Sequence, residues 1–225
     1  MLKTSGLLNC KANANPKREK SNRERCGWFV LKVLFMGTPE IAAAILETLI
    51  ADATHELLAV VTQPDKPKGR GHEMAFPPVK EVALAHGIPV LQPEKIRNAE
   101  FLDEIKKWNP DIIAVAAYGK LLPKELLLLP RLGCINVHAS LLPKYRGASP
   151  IQWAVINGEK KSGVTIMHMA EQMDTGDIIL SKEIELSEEE TAGSLHDKLA
   201  KLGGPALLEA MQLLELGQAP RISQK

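Results

Sequence analysis

The sequence predicts an α/β fold, a mostly parallel central sheet with helices on both faces. Three observations predict it. Runs at 31–36, 57–62 and 111–117 are almost wholly apolar without alternation, the pattern of strands buried on both faces, and 132–138 reads as a further strand, apolar but for Asn136 and His138. Stretches with apolar residues at helical spacing separate these runs, as βαβ crossovers require. The chain has 225 residues, 45% hydrophobic and 24% charged, which is room for one good-sized domain with a substantial core.

Taken in order, Leu31–Met36 reads as a buried strand. Gly37-Thr-Pro-Glu40 leads into a helix over Ile41–Leu49, with Thr38 as its cap and Pro39 in its first turn. Leu57–Thr62 is a second strand, and Gln63–Pro78 a long polar loop rich in Gly, Pro and charge. Pro78–His86 reads as a helix, Ile88–Leu91 as a short strand, and Ala99–Trp108 as a helix. Asp111–Ala117 and Leu132–His138 are strands, and Ile151–Asn157, behind Ser149 and Pro150, is a helix. Val164–Met169 and Ile178–Leu186 form an antiparallel pair. Thr191–Leu216 is a long helix, with Gly203-Gly204-Pro205 marking a kink or break.

Net charge is +1, so an anionic partner has to be met by a local basic patch. The three cysteines, Cys10, Cys26 and Cys134, are odd in number and contain no CxxC pair. That argues against a disulfide framework or a zinc site and fits a reducing compartment. No apolar run approaches the roughly 18 residues of a membrane span. Residues 1–29 are polar and basic. They fit a transit peptide, a nucleic-acid arm or a disordered extension without function. Glu19, Glu24 and the Asn-Pro stretch weigh against a transit peptide, and the extension is preferred, leaving 30–225 as the folded domain.

Four segments carry chemistry. Asn136 and His138 are two apart on a strand, so they share one face at the end where open α/β sheets bind ligands. Either they satisfy loop backbone groups or they meet a ligand; two polar groups on an otherwise apolar strand favour the second. Met173-Asp-Thr-Gly-Asp177 is a turn, with Gly176 expected to supply an unusual backbone angle. Lys144 and Arg146 stand in a basic loop that either meets an anion or is solvated. Gln63–Gly71 is a basic loop too long for a mere connector, or else a mobile surface loop. The Phe35–Ile41 turn lacks the further glycines of a dinucleotide-binding loop, and Glu40 would repel a phosphate, which argues against NAD.

At these residues the chain resembles the methionyl-tRNA formyltransferase family, within the folate-dependent formyltransferase superfamily. The matching text is Phe35-Met-Gly-Thr-Pro-Glu40, Thr62-Gln-Pro-Asp-Lys-Pro-Lys-Gly-Arg-Gly71 and Ala117-Tyr-Gly-Lys-Leu-Leu-Pro123. It continues as Asn136-Val-His-Ala-Ser-Leu-Leu-Pro-Lys-Tyr-Arg-Gly-Ala-Ser-Pro-Ile-Gln152 and Asp174-Thr-Gly-Asp177. The resemblance spans about residues 31–217. It implies a Rossmann-like formyltransferase fold, and formyl transfer from 10-formyltetrahydrofolate to the amine of initiator methionyl-tRNA, without a metal.

The resemblance further implies that Asn136, His138 and Asp174 are the catalytic trio. Asn136 and a cationic His138 would donate to the oxyanion of a tetrahedral intermediate. Asp174 would hold the His138 tautomer and help remove the amine proton, directly or through water. Folate is expected along Ser140, Leu141, Leu142 and Pro143 and near Tyr118, Gly119 and Leu122. The acceptor stem of the tRNA is expected against Lys68, Arg70 and Arg146. Cys134 reads as a core residue, not a nucleophile. A cytoplasmic monomer is expected, with an organellar location only if residues 1–29 are a transit peptide.

Two departures bear on the acceptor. The β-barrel domain that this family carries is expected to be absent here, and His72 and Glu73 replace basic residues usual after Arg70-Gly71. Both are expected to weaken tRNA binding. They keep open a formyltransferase for a small amine, such as a nucleotide-linked amino sugar, or an inactive folate-binding remnant.

Overall fold

The computed structural model describes residues 30–68 and 73–225, with Lys68 and Glu73 described by backbone alone. The expectations for residues 1–29, for Cys10 and Cys26, and for the tRNA contacts of Arg70 and the Lys68 side chain lie outside the described residues.

Nine strands and six helices follow Leu31 in the described residues. Strand β1 (Lys32–Gly37) leads to helix α1 (Glu40–Asp52) and β2 (Glu56–Val61). A hairpin, β3 (Lys66–Lys68) and β4 (Glu73–Ala75), precedes α2 (Pro78–Ala85), β5 (Val90–Leu91) and α3 (Ala99–Trp108). Then come β6 (Ile112–Ala116), α4 (Lys124–Leu127), β7 (Cys134–His138) and α5 (Pro150–Ile156). Strands β8 (Lys161–His168) and β9 (Ile178–Glu185) and helix α6 (Ala192–Glu215) complete the order.

The seven-stranded sheet runs β5-β2-β1-β6-β7-β8-β9. From β5 to β7 every pairing is parallel, and β8 and β9 are antiparallel additions. The chain moves outward from β1 through β2 to β5, then returns to the far side of β1 at β6. Strand order therefore reverses between β1 and β6, the place where open α/β sheets leave a crevice beyond their carboxyl ends.

Apolar strand residues alternate between two cores. Val33, Phe35, Ile112, Ala114, Ile135 and Val137 pack with α1, α2 and α6. Leu34, Met36, Ile113, Val115 and Cys134 pack on the other face with Phe101 and Ile105 of α3 and with Tyr118, Leu122 and Leu126. Full burial on both faces explains why these strands read as unbroken apolar runs.

Four local expectations change. Thr38 does not cap α1: Pro39 is the capping residue without a side-chain bond, and the Thr38 hydroxyl donates to the Tyr118 carbonyl at 3.4 Å. The 63–78 segment is not only a loop, because Lys66–Lys68 pairs with Glu73–Ala75. Its base is anchored: Asp65 accepts from Lys80 Nζ at 2.6 Å and Gln92 Nε2 at 2.7 Å. The Gln92 bond, then Lys80, holds its carboxyl below the usual range. Helix α6 runs unbroken through Gly203, Gly204 and Pro205. A Cβ at 204 would lie 2.4 Å from Thr48 Oγ1, so the glycine pair lets α6 press against α1, and that packing offsets the bond Pro205 forfeits. Gly176 does not supply the unusual angle of its turn; Asp174 does, at φ 53°. Gly176 is required by space, since a Cβ there would lie 1.8 Å from the His168 carbonyl oxygen.

Among the described residues, no helix is long and apolar enough to cross a membrane.

Candidate active site

The carboxyl ends of β6 and β7 open into a cavity of about 560 Å³. Most of its wall comes from four stretches, 115–121 at the end of β6, 136–139 at the end of β7, 147–152 entering α5 and 169–174 after β8, and Ile41 and Ile45 of α1, Val164 and Met167 of β8 and Leu199 of α6 complete it. Close approach of α1 to the sheet depends on Gly37, where a Cβ would lie 2.7 Å from Ala42 Cβ and 2.9 Å from the Ala116 oxygen.

Asn136 and His138 alternate with Ile135 and Val137, which face α1 and α6, so both point to the opposite face. Both line the cavity, and Asp174 joins them from the turn before β9. The structure thus brings the three together. The Asn136 side chain has no hydrogen-bond partner among the described residues and is half-buried in the cavity wall.

His138 is 6% exposed. Its Nε2 lies 2.9 Å from the Tyr145 carbonyl oxygen, and its Nδ1 lies 3.7 Å from Asp174 Oδ2. A carbonyl only accepts, so Nε2 carries a proton. The other nitrogen faces a carboxylate, which also only accepts. At 3.7 Å the Nδ1–carboxylate contact is an ion-pair distance, too long for a hydrogen bond, which leaves Nδ1 free for a third group.

Both acceptors are held by backbone in the left-handed region. Tyr145 has φ 59° and Asp174 φ 53°, conformations that cost of order 1–3 kcal/mol each and persist only where surroundings fix them. Tyr145 is fixed by its hydroxyl, which donates to Glu159 Oε1 at 2.6 Å and accepts from Asn157 Nδ2 at 2.9 Å. Those contacts, Tyr145 first and Lys144 second, hold the Glu159 carboxyl below its ordinary range. Asp174 Oδ2 accepts from the Gly147 N–H at 2.9 Å, and its carbonyl accepts from Gln224 Nε2 at 3.1 Å. Sequence reasoning gave no role to Gly147, although it stands inside the matching 136–152 text, and missed Glu159 and Gln224, which no residue type or spacing marked.

The remaining expected residues divide. Tyr118 and Gly119 line the cavity; Tyr118 is buried, its hydroxyl has no partner among the described residues, and burial pushes that hydroxyl up to about 12. Leu122 is buried in the core beside it. Ser140, Leu141, Leu142 and Pro143 do not line this cavity. The Ser140 hydroxyl donates to the Lys144 carbonyl at 2.7 Å, and Thr165 Oγ1 bridges the Ser140 oxygen and the Leu142 N–H. This stretch clamps the 139–147 loop to β8. Arg146 is exposed and donates through Nε to Gln224 Oε1, while Lys144 pairs with Glu159 at 3.0 Å. Cys134 is buried, hydrogen-bonded to the Leu126 carbonyl, and pushed up to about 12 by burial, the state of an inert core thiol.

Comparison with known proteins adds the family. The sequence pattern of the formyl transferase family matches residues 31–211. The methionyl-tRNA formyltransferase of Clostridioides difficile is 58% identical over 191 residues, 85% of this chain and 62% of that protein. That of Pelotomaculum thermopropionicum is 54% identical over 195 residues, 87% of this chain and 62% of that protein. The chain spans 62% of the length of each of these curated relatives.

Among solved structures, a glycinamide ribonucleotide transformylase from Symbiobacterium toebii superposes with TM-score 0.72 at 19% identity, covering 87% of this chain and 93% of its own. A phosphoribosylglycinamide formyltransferase from Anaplasma phagocytophilum gives TM-score 0.72 at 20% identity, covering 84% and 89%. These two establish likeness of fold. A family match that takes in every strand of the sheet and every wall of the cavity settles the relationship: this chain belongs to the formyl transferase family.

Proposed function

We propose that this chain transfers a formyl group from 10-formyltetrahydrofolate to the amino group of methionyl-tRNA. The observation that carries the reading is the convergence of Asn136, His138 and Asp174 on one cavity, in a chain more than half identical to proteins named for that reaction. The acceptor nitrogen attacks the formyl carbon, whose carbonyl oxygen becomes an oxyanion; the bond from that carbon to N10 then breaks, N10 takes a proton, and the acceptor nitrogen loses one. An oxyanion needs donors already in place. The unpartnered Asn136 amide and the free Nδ1 of His138 are such donors. Nε2 cannot serve, because the Tyr145 carbonyl occupies it. The Asp174 carboxylate balances the ring's charge and is placed to accept the proton leaving the amine, directly or through a water. The chemistry requires no metal. The cavity's volume suits the reacting end of a folate together with an aminoacyl group. In this reading exposed Arg146, next in sequence to Gly147 of the cavity wall, meets acceptor-stem phosphates. The reading takes the chain as a cytoplasmic monomer.

The test is formyl transfer by the 225-residue protein with 10-formyltetrahydrofolate and charged initiator methionyl-tRNA, followed as formylmethionyl-tRNA. Turnover that His138→Ala abolishes is expected. Transfer to a small amine alone would move the acceptor to an amino sugar or similar molecule. Folate binding with no transfer to any amine would overturn the reading.

A further inference from the structure

We propose that Gln224 is a positioning residue for this site: its side-chain amide locks the 174–176 turn and Arg146 together, and so sets where the Asp174 carboxylate meets His138. The role rests on the formyl-transfer reading of the cavity; the geometry does not. Gln224 Nε2 donates to the Asp174 carbonyl at 3.1 Å and the Gly176 carbonyl at 2.7 Å. Its Oε1 accepts from Arg146 Nε at 2.9 Å. Two carbonyls can only accept and a guanidinium can only donate, so the amide fits one way round. Both amide hydrogens and the amide oxygen are used.

The residue reaches the turn from far along the chain, 50 residues after Asp174 and 78 after Arg146. The segment that delivers it is tied down two residues earlier. Ile222 and Ile178 exchange both backbone hydrogen bonds, at 2.8 and 3.0 Å, so the tail adds a short antiparallel pairing beside β9. Arg221 adds a long 3.5 Å contact to Asp177 Oδ2. The tail is therefore in register with the turn before Gln224 inserts.

The turn needs such a clamp. Asp174 holds a left-handed backbone angle without being glycine, and among the described residues its carboxylate accepts one hydrogen bond, from the Gly147 N–H. Gly147 follows Arg146 directly, so Gln224 grips both partners of that bond: the turn through two carbonyls, the Gly147 loop through Arg146. Loosening it leaves the carboxylate free to drift relative to Nδ1, and reaction rates fall steeply with displacements of order 1 Å.

The test compares the full chain with Gln224→Met, which keeps length but removes the bonds to both carbonyls and to Arg146 along with the 3.7 Å contact to Met167 Sδ, and Gln224→Glu, which keeps an acceptor for Arg146 but sets oxygen against two carbonyls. The expected result is a fall in kcat of about tenfold for Gln224→Met and more for Gln224→Glu, with KM for both substrates within about twofold. A second readout is the ring 15N signal of His138, assigned by its loss in His138→Asn. It should move in both variants while thermal stability confirms folding. An unmoved ring signal with unchanged kcat would overturn the proposal, as would a lowered melting temperature with an unmoved ring signal. If the unaltered chain transfers no formyl group to any acceptor, the functional reading fails, and the ring signal alone then decides the positioning: moved, it stands; unmoved, it falls.

Discussion

Gly176→Ala should be the most damaging single-methyl change in the site, although the residue never touches the cavity. The added Cβ would lie 1.8 Å from the His168 carbonyl oxygen and 2.8 Å from its carbon. Ordinary contact begins near 3.4 Å, so the turn or the end of β8 must move by about 1.6 Å. Neither can yield through a side chain, because the obstacle is backbone. The shift breaks the His168 N–H bond to the Asp177 carbonyl, 2.9 Å, and the Gln224 bond to the Gly176 carbonyl. Overpacking of this kind costs about 1–3 kcal/mol, which at this chain length lowers Tm by about 3–10 °C. Asp174 stands two residues away and moves with the turn, so kcat should fall by about a hundredfold. Differential scanning fluorimetry and the formylation assay read the two effects. Gly193→Ala is the control: its Cβ would meet nothing closer than 3.8 Å, and it should be neutral or stabilising by about 0.5–1 kcal/mol. Gly176→Ala with unchanged Tm and kcat would refute the argument.

Three further outcomes follow from the same geometry. Asn136→Ala should lower kcat by about 10²–10³ with little change in Tm, because its amide has no hydrogen-bond partner among the described residues; a large Tm loss would mean that Asn136 is a structural residue instead. Cys134, pushed up to about 12 by burial, should resist iodoacetamide in the folded protein at pH 8 and react only on unfolding, as mass spectrometry after brief labelling will show. His168 is held below its ordinary range, by burial first and by Arg221 second, so the unfolded chain binds its proton more readily than the folded one. Stability should therefore be full above about pH 6.5 and fall as pH drops toward the lowered folded value. In His168→Leu that part of the pH dependence should vanish, and urea melts between pH 5 and 7 are the measurement.

The fold was legible because its signals are properties of residue type. Strands with both faces buried leave no polar position, so Ile112–Ala116 and the apolar part of Cys134–His138 stand out. Asn136 and His138 were legible for the converse reason, as polar side chains on a strand that otherwise has no use for them. What misled was local chemistry overruled by tertiary contact. Thr38 is a good capping residue, yet its hydroxyl goes to the Tyr118 carbonyl across the crevice. Gly203, Gly204 and Pro205 read as a helix break, yet the space the glycines leave is filled by Ile45 and Thr48 of α1. The short β3–β4 pairing carries no alternation to reveal it.

The support of the site was not legible, and the cause is general. His138 is aimed by the carbonyl of Tyr145 and the carboxylate of Asp174; Asp174 by the N–H of Gly147; its turn by the carbonyls that Gln224 holds. All but one of these groups on the protein's side of the bond are peptide groups, which every residue but proline offers alike. A sequence motif records where a side chain does chemistry, and it passes over a residue chosen for where its backbone points. The unusual angles are the trace such a choice leaves in the structure: Tyr145, Ser149 and Asp174 all lie in the left-handed region without being glycine, and all three line or support one cavity. Strain of that kind requires distant anchors, which is why residues as remote in sequence as Glu159 and Gln224 belong to the site.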